Sequence, residues 1–326
     1  MSLQIIEELG FEAAAGHEVR GRVSIADLFP KSKNRCGIYL LQFSDGTFYI
    51  GQAVDAVRRF AQHRKNYDTI TQYWFQSITK LQLDAVEQRL IRRAEQAGLL
   101  LTNKTFVTNV IGETDLDLLV SPAEQQTWAE TGNALANDGI DLGQTVGERA
   151  KVKYRQNFLQ LVQDARYPQL RTLLKEYIQR GLPAYKKTEQ SFWALSCLPS
   201  TNKSTYPRFC SLNVNGMEVL VAGMKKKSQK PFVFTIVSGS MFPTVAEKLR
   251  FQKAYASQIE ESNYRAAGAD QYAISFRSLE TLHKALEREP TFRKSIRELN
   301  LRMMRRGGTV FAPYHCFDLV EDVLDG

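Results

Sequence analysis

The spacing of apolar residues changes period several times along the chain, and each change predicts an element. Residues 1–30 open with Ile5, Ile6 and Leu9, a short amphipathic turn, then Val23 and Ile25 before the break at Pro30. From Gly37 the period becomes two. The runs GIYLLQF and TFYIG flank Ser44-Asp45-Gly46, which predicts antiparallel strands Gly37–Phe43 and Thr47–Gly51 joined by a three-residue loop, with Gly46 taking the positive φ. That loop length sets Phe43 opposite Thr47 and Leu41 opposite Tyr49, so Tyr39, Leu41 and Tyr49 share one face. A two-residue loop would place the two phenols on opposite faces.

The period then lengthens to that of a helix, with Val54, Val57, Phe60 and Ala61 as its apolar stripe and Arg59 and His63 four residues apart on one face. Gln72–Leu83, rich in aromatic and β-branched residues, predicts a third strand. Asp84–Ala97 predicts a helix with Val86, Leu90, Ile91 and Ala94 inward, ending at Gly98 before the run Leu99–Asn103. Asp84 and Glu87 also have the spacing of a capping box, in which Glu87 bonds the backbone of its own helix start.

Beyond residue 105 the pattern divides again. Residues 106–148 suit a connector with one helix, starting near Pro122. Next comes a helix with Val152, Phe158, Leu159 and Val162 inward and Lys151, Lys153 and Arg155 outward, and then a helix Pro168–Arg180. Phe192 and Trp193 suit a core. Asn215-Gly216 between alternating runs signals a hairpin. A strand Phe232–Val237, a helix from Thr244 to Glu261, a strand Gln271–Phe276, helices Ser278–Glu289 and Thr291–Arg306 and a last strand near Thr309–Phe317 complete the pattern. The expected class is α+β in four segments: an extension 1–30 packed on the next piece, a domain 31–105, the connector 106–148 and a domain 149–326.

Composition narrows the function classes. A hydrophobic share of 43% in 326 residues suits a core-forming chain, and no apolar run approaches the ~20 residues of a membrane span. Acidic residues near the start and the lack of a basic leader exclude a signal peptide, so a cytoplasmic protein is expected. Cys36, Cys197, Cys210 and Cys316 are scattered and the histidines have no ligand spacing, which leaves reduced thiols and no structural zinc. The net charge of +8 is unevenly spread. Residues 31–105 hold 12 basic and 6 acidic side chains, residues 106–148 hold none and 8, and residues 149–326 hold 29 and 16. Such basic blocks suit a polyphosphate partner. The candidate contacts are Arg58, Arg64 and Lys65 on the first helix, Lys225, Lys226 and Lys227 after the hairpin, and Arg302, Arg305 and Arg306 in an Arg-rich helix. The three lysines could equally guard a sheet edge.

Gly37-Ile38-Tyr39 and Tyr49-Ile50-Gly51, followed in order by Arg59, His63, Glu87 and Asn103, resemble the GIY-YIG nuclease family over about residues 30–105. The resemblance implies a small three-stranded sheet flanked by helices and a metal-dependent endonuclease hydrolysing DNA phosphodiester bonds. It implies Glu87 as ligand of one Mg²⁺ or Mn²⁺, Arg59 as the cation beside the phosphate, and Tyr39 with its partner Tyr49 as general base, or else His63. Asn103 would orient Glu87 or the substrate, or simply mark the helix exit. DNA is favoured over RNA, and restriction or phage defence is the implied setting. A structure-specific repair or recombination nuclease and a non-catalytic nucleic-acid-binding protein are the alternatives. A double-strand break by one active site per chain would suggest a homodimer.

Overall fold

The computed structural model describes residues 2–103, 113–136 and 152–325 apart from 263, 265, 266 and 269. The Gly/Asn-rich stretch from Asn137 and Lys151 lie outside the described residues. The chain divides into two compact units, Met1–Gly112 and Glu113–Gly326, each mixing helices with an antiparallel sheet. Among the described residues no helix is long and apolar enough to cross a membrane.

The first unit contains helices α1 (Ser2–Glu8), α2 (Ala56–Asn66) and α3 (Leu83–Gln96) and strands β1 (His17–Glu18), β2 (Gly37–Phe43), β3 (Phe48–Ala53) and β4 (Ile70–Ser77). The sheet order is β1-β4-β2-β3, so β1 adds a fourth strand to the expected three. In the β2–β3 hairpin Leu41 faces Tyr49 and Tyr39 faces Gly51. Phe43 N–H donates to Thr47 C=O and Gly46 sits at φ 83°, as the three-residue loop requires. Alternation sorts the strand residues onto two cores. Ile38, Leu40, Phe48, Ile50 and Trp74 pack with Val86, Leu90, Ile91 and Ala94 of α3 and with Ile6, Leu9 and Phe11. Tyr39, Leu41, Phe43 and Tyr73 pack with Phe60 of α2 and with Val19, Ile25 and Phe29.

Two local expectations are corrected here. The third strand ends at Ser77, and a 3-10 turn over Lys80–Gln82 leads into α3. Val54 is 59% exposed because α2 begins only at Ala56. Asp55 is the N-cap, its carboxylate accepting from the N–H groups of Val57 and Arg58, and the helix buries Ala56, Phe60 and His63.

The second unit has a six-stranded sheet in the order β5-β6-β7-β8-β10-β9. Its strands are β5 (Trp193–Cys197), β6 (Arg208–Val214), β7 (Met217–Lys225), β8 (Lys230–Ser238), β9 (Gln258–Glu261) and β10 (Gln271–Phe276). Among the described residues its helices are α4 (Pro122–Thr131), α5 (Arg155–Leu161), α6 (Tyr167–Gly181), α7 (Tyr185–Thr188), α8 (Val245–Tyr255), α9 (Leu279–Arg288), α10 (Pro290–Met304) and α11 (Phe317–Asp325). Leu173, Tyr177, Ile296, Leu299, Met303, Leu319 and Val323 meet Leu195, Leu212, Leu220 and Val237 of the sheet in one core. Asn215 turns the predicted β6–β7 hairpin at φ 52°. Phe192 and Trp193 are buried.

Several elements differ from the sequence reading. The helix expected to run to Glu261 stops at Tyr255, where Ala256 turns left-handed at φ 44°, and Gln258–Glu261 becomes β9 against β10. The last strand is instead a 3-10 turn, Ala312–Tyr314, followed by α11, which buries Leu319, Val320, Val323 and Leu324 at helical spacing. Val152 and Leu159 are 42% and 48% exposed, and Leu161 turns inward in their place. The acidic segment is no free connector over its described part: Arg297 Nε donates to Ala129 C=O at 3.1 Å, tying α4 to α10.

Candidate active site

The hairpin register brings Tyr39 and Tyr49 to the α2 side of the sheet. Their rings lie 6.1 Å apart between centroids at 23°, and Tyr73 of β4 stacks on the other face of Tyr39 at 5.9 Å and 9°. Tyr39 and Tyr73 are each only 1% exposed, and the Tyr73 hydroxyl has no hydrogen-bond partner. Gly51 permits the stack. A β-carbon there would lie 2.3 Å from Tyr39 Oη, 2.5 Å from its Cζ and 2.7 Å from Tyr49 Cε1. Gly37 answers a different constraint, since a β-carbon would lie 2.0 Å from the Gln76 carbonyl oxygen.

With its start fixed by Asp55, α2 presents Arg59 and His63 one turn apart, and both reach Tyr39. His63 Nε2 lies 2.6 Å from Tyr39 Oη, and Arg59 Nε donates to that oxygen at 3.2 Å. A guanidinium can only donate, so the phenol oxygen accepts from Arg59, and with the imidazole proton on Nδ1 its own hydrogen is directed to His63 Nε2. Burial first, and the Arg59 charge second, push the His63 pKa down to about 4, so the imidazole is neutral at pH 7 and can accept. Burial raises the Tyr39 phenol, the neighbouring Tyr49 raises it further, and Arg59 offsets part of both. Tyr49 is likewise raised by burial. Tyr49 and Tyr67 frame the imidazole, with ring centroids at 4.9 and 6.2 Å.

Glu87 does not cap its helix. α3 starts at Leu83 with Gln82 as N-cap and no side-chain bond, so Asp84 already lies inside the first turn and the capping-box geometry cannot form. Instead Gln52 Nε2 of β3 donates to Asp84 Oδ1 at 2.7 Å and to Glu87 Oε2 at 2.9 Å. Glu87 is 8% exposed, and burial raises its carboxyl, with the Gln52 bond opposing and Asp84 adding. Asp84 and Glu87 belong to α3, which packs on the Ile50 face of the sheet, and the phenol–imidazole cluster lies on the opposite, α2 face. The charge on Glu87 nonetheless acts on Tyr39, Tyr49 and Arg59.

Asn103 takes another part than orienting Glu87 or closing the helix. It is 2% exposed, accepts from Ile50 N–H at 3.0 Å and donates to Ile50 C=O at 2.6 Å. Its amide thus continues a short parallel pairing in which Phe48 N–H donates to Leu100 C=O and Thr102 N–H to Phe48 C=O, both at 2.8 Å. It holds β3 between the residues Tyr49 and Gly51.

The charged candidates separate by exposure. Arg58, Lys65, Lys225, Lys226 and Lys227 are exposed, the last two in the β7–β8 turn. Arg64 is a clamp, donating to Asp68 C=O at 2.9 Å, Val19 C=O at 2.6 Å and Ile70 C=O at 3.2 Å. In the Arg-rich stretch, Arg302 of α10 is buried, and Arg305 and Arg306, just past the end of the helix, are half-buried. Arg302 is 7% exposed and donates to the carbonyls of Ala267 and Asp270, both at 3.1 Å, and to Ser238 Oγ at 3.0 Å. Arg305 donates to Asp117 Oδ1 at 3.1 Å and Gln125 Oε1 at 2.8 Å, and Arg306 to Arg302 C=O at 3.2 Å. Sequence reasoning missed Gln52 and Tyr73, and saw Asp84 only as a cap. Gln52 follows the Tyr49-Ile50-Gly51 tripeptide, and strand alternation puts it on the Ile50 face with α3, a signal that was available. Compared with known proteins, the chain matches no family model, no curated protein and no solved structure.

Proposed function

We propose that the first unit is the catalytic domain of a GIY-YIG-type endonuclease that hydrolyses DNA phosphodiester bonds with the help of one divalent ion. The observation that carries this reading is the Tyr39 hydroxyl held between a permanent donor, Arg59, and a neutral acceptor, His63. A water attacking phosphorus can give a proton to Tyr39 Oη while the tyrosine hydrogen passes to His63 Nε2. The products of that step are hydroxide, an unchanged phenol and an imidazolium. The relay spares the enzyme a buried phenolate, which the raised Tyr39 pKa disfavours. An anionic phosphodiester beside Arg59 also raises the basicity of His63, so the acceptor strengthens when substrate arrives.

Glu87 suits a hard divalent ion. It is a buried carboxylate that shares one amide donor with Asp84, and Mg²⁺ is commonly held by one or two carboxylates while keeping several waters. Bound through Glu87, the ion would offset charge on the pentavalent phosphorus and the leaving oxygen. DNA as substrate, and restriction or phage defence as setting, rest on the family resemblance together with the exposed lysines of the β7–β8 turn. The test is plasmid cleavage by purified protein with Mg²⁺. Wild type should cut, and Glu87→Ala should lose at least 10²-fold in rate while binding DNA as before. Binding without any cutting by wild type would favour the non-catalytic nucleic-acid-binding alternative.

A further inference from the structure

The second unit holds a cavity of about 450 Å³ on β5, β6 and β7, within the roughly 300–1,000 Å³ of small-molecule sites. Its floor is polar. Ser196 pairs with Ser211 and Asn213 with Glu218 across adjacent strands. Ser211 Oγ donates to Glu218 Oε1 at 3.1 Å, and Arg208 forms an ion pair with the same carboxylate. Asn213 is 3% exposed; its Nδ2 donates to Ser211 C=O at 3.2 Å and lies 3.4 Å from Ser211 Oγ, while its Oδ1 has no partner. Exchanging the two amide atoms would set oxygen against the Ser211 carbonyl, so Oδ1 is the unmet acceptor of a residue that lines the cavity. A buried acceptor without a donor is unfavourable, and a ligand N–H would relieve it.

The walls are aromatic: Tyr154, Phe311 and Tyr314 line the opening. They are fixed before any ligand arrives. Thr309 N–H donates to Ser191 C=O and Cys316 N–H to Leu195 C=O, both at 2.8 Å, and Tyr154 Oη donates to Pro313 C=O at 3.1 Å. Lys203 also lines the cavity and is exposed, and Lys153 Nζ lies 5.0 Å from the Tyr154 ring centroid and 5.9 Å from that of Tyr314. Flat walls, one buried acceptor and cations beside the rings match a planar heterocycle with an N–H edge that carries a phosphate.

We propose that this cavity binds a nucleobase, its ring against Tyr154, Phe311 and Tyr314 and an N–H donated to Asn213 Oδ1. The choice of a nucleobase rests on the nucleic-acid reading above, and the base can come from a free nucleotide or from one displaced out of a duplex. The test is calorimetric titration of the full-length Glu87→Ala protein with each deoxynucleoside 5′-monophosphate, with deoxyribose 5-phosphate, and with duplexes that are fully paired or carry one bulged base. At least one mononucleotide, or the bulged duplex, should bind saturably at least tenfold tighter than its baseless or fully paired counterpart. Asn213→Leu should erase about tenfold of that preference, the loss of one buried hydrogen bond. Tyr314→Ala, a half-exposed wall residue, serves if the leucine variant does not fold. Preference for the bulged duplex alone identifies a displaced base, and mononucleotide binding alone a free nucleotide. Equal binding with and without a base, or a base preference untouched in folded variants, overturns the site. Because the readout is binding in a protein without Glu87, the cavity can fail while the nuclease stands, and the reverse.

Discussion

Substituting Gly51 by alanine tests the geometry from which the catalytic reading is built. The residue needs no left-handed backbone, so its role is clearance. The added β-carbon would sit 2.3 Å from Tyr39 Oη and 2.5 Å from Cζ, against 3.4 Å for ordinary contact, so the ring must withdraw by about 1 Å. The retreat is opposed by Tyr73 stacked behind Tyr39 at 5.9 Å. Overpacking of this kind costs about 1–3 kcal/mol, readable as a lower urea midpoint. The same displacement stretches the 2.6 Å contact with His63, and a 1 Å error in a reacting group can cost about 10²-fold in rate. Three measurements follow the change: urea unfolding, plasmid nicking with Mg²⁺, and NMR titration of the His63 imidazole, which should move from about 4 towards 6.5 as packing loosens. Stability, titration and nicking all unchanged would refute the packing argument. Lower stability with unchanged nicking would leave the cluster standing and remove Tyr39 from the chemistry.

Asn103→Ala should destabilise the protein by about 2–4 kcal/mol, because both backbone groups of Ile50 lose their partner inside the fold; a loss below about 0.5 kcal/mol in chemical denaturation would contradict this. The His63 pKa falls from near 6.5 unfolded to about 4 folded, so the unfolded state binds more protons in between. Stability should therefore drop as pH falls from about 6.5 to 4, by at most about 3 kcal/mol, and the drop should be absent from the difference curve of His63→Gln. Replacing Lys225, Lys226 and Lys227 together by serine should weaken DNA binding and lower the slope of log affinity against log salt by about 2–3. An unchanged slope would remove the β7–β8 turn from the interface.

The hairpin was legible because strand alternation and a three-residue loop leave only one register, and that register alone sets Tyr39 beside Tyr49. The α2 positions Arg59 and His63 were legible for the same reason, a fixed period after a visible break. Glu87 was ambiguous since Asp84-x-x-Glu87 spells a cap, and only the start of α3 at Leu83, one residue before Asp84, decides otherwise. The donor that settles its direction, Gln52, comes from a strand 35 residues away. The burial of Arg302 and the half-burial of Arg305 and Arg306 were not legible, because counting charges says nothing of burial. Their partners, among them Asp117, Gln125, Ser238 and Asp270, are supplied by distant segments. The strand expected near Thr309–Phe317 is a 3-10 turn at Ala312–Tyr314, and the helix α11 that follows it was not anticipated, although Leu319, Val320, Val323 and Leu324 have helical spacing.

The pairing of residues 100–103 with β3 sets a lower limit on any autonomous form of the first unit. β3 is the end strand of its sheet, and Leu100, Thr102 and Asn103 occupy its outward N–H and C=O groups at Phe48 and Ile50. A fragment trimmed to Leu99 would leave that edge bare, a template on which a second chain can add a strand. Such fragments should self-associate and precipitate, whereas those that run through Asn103 keep the edge covered.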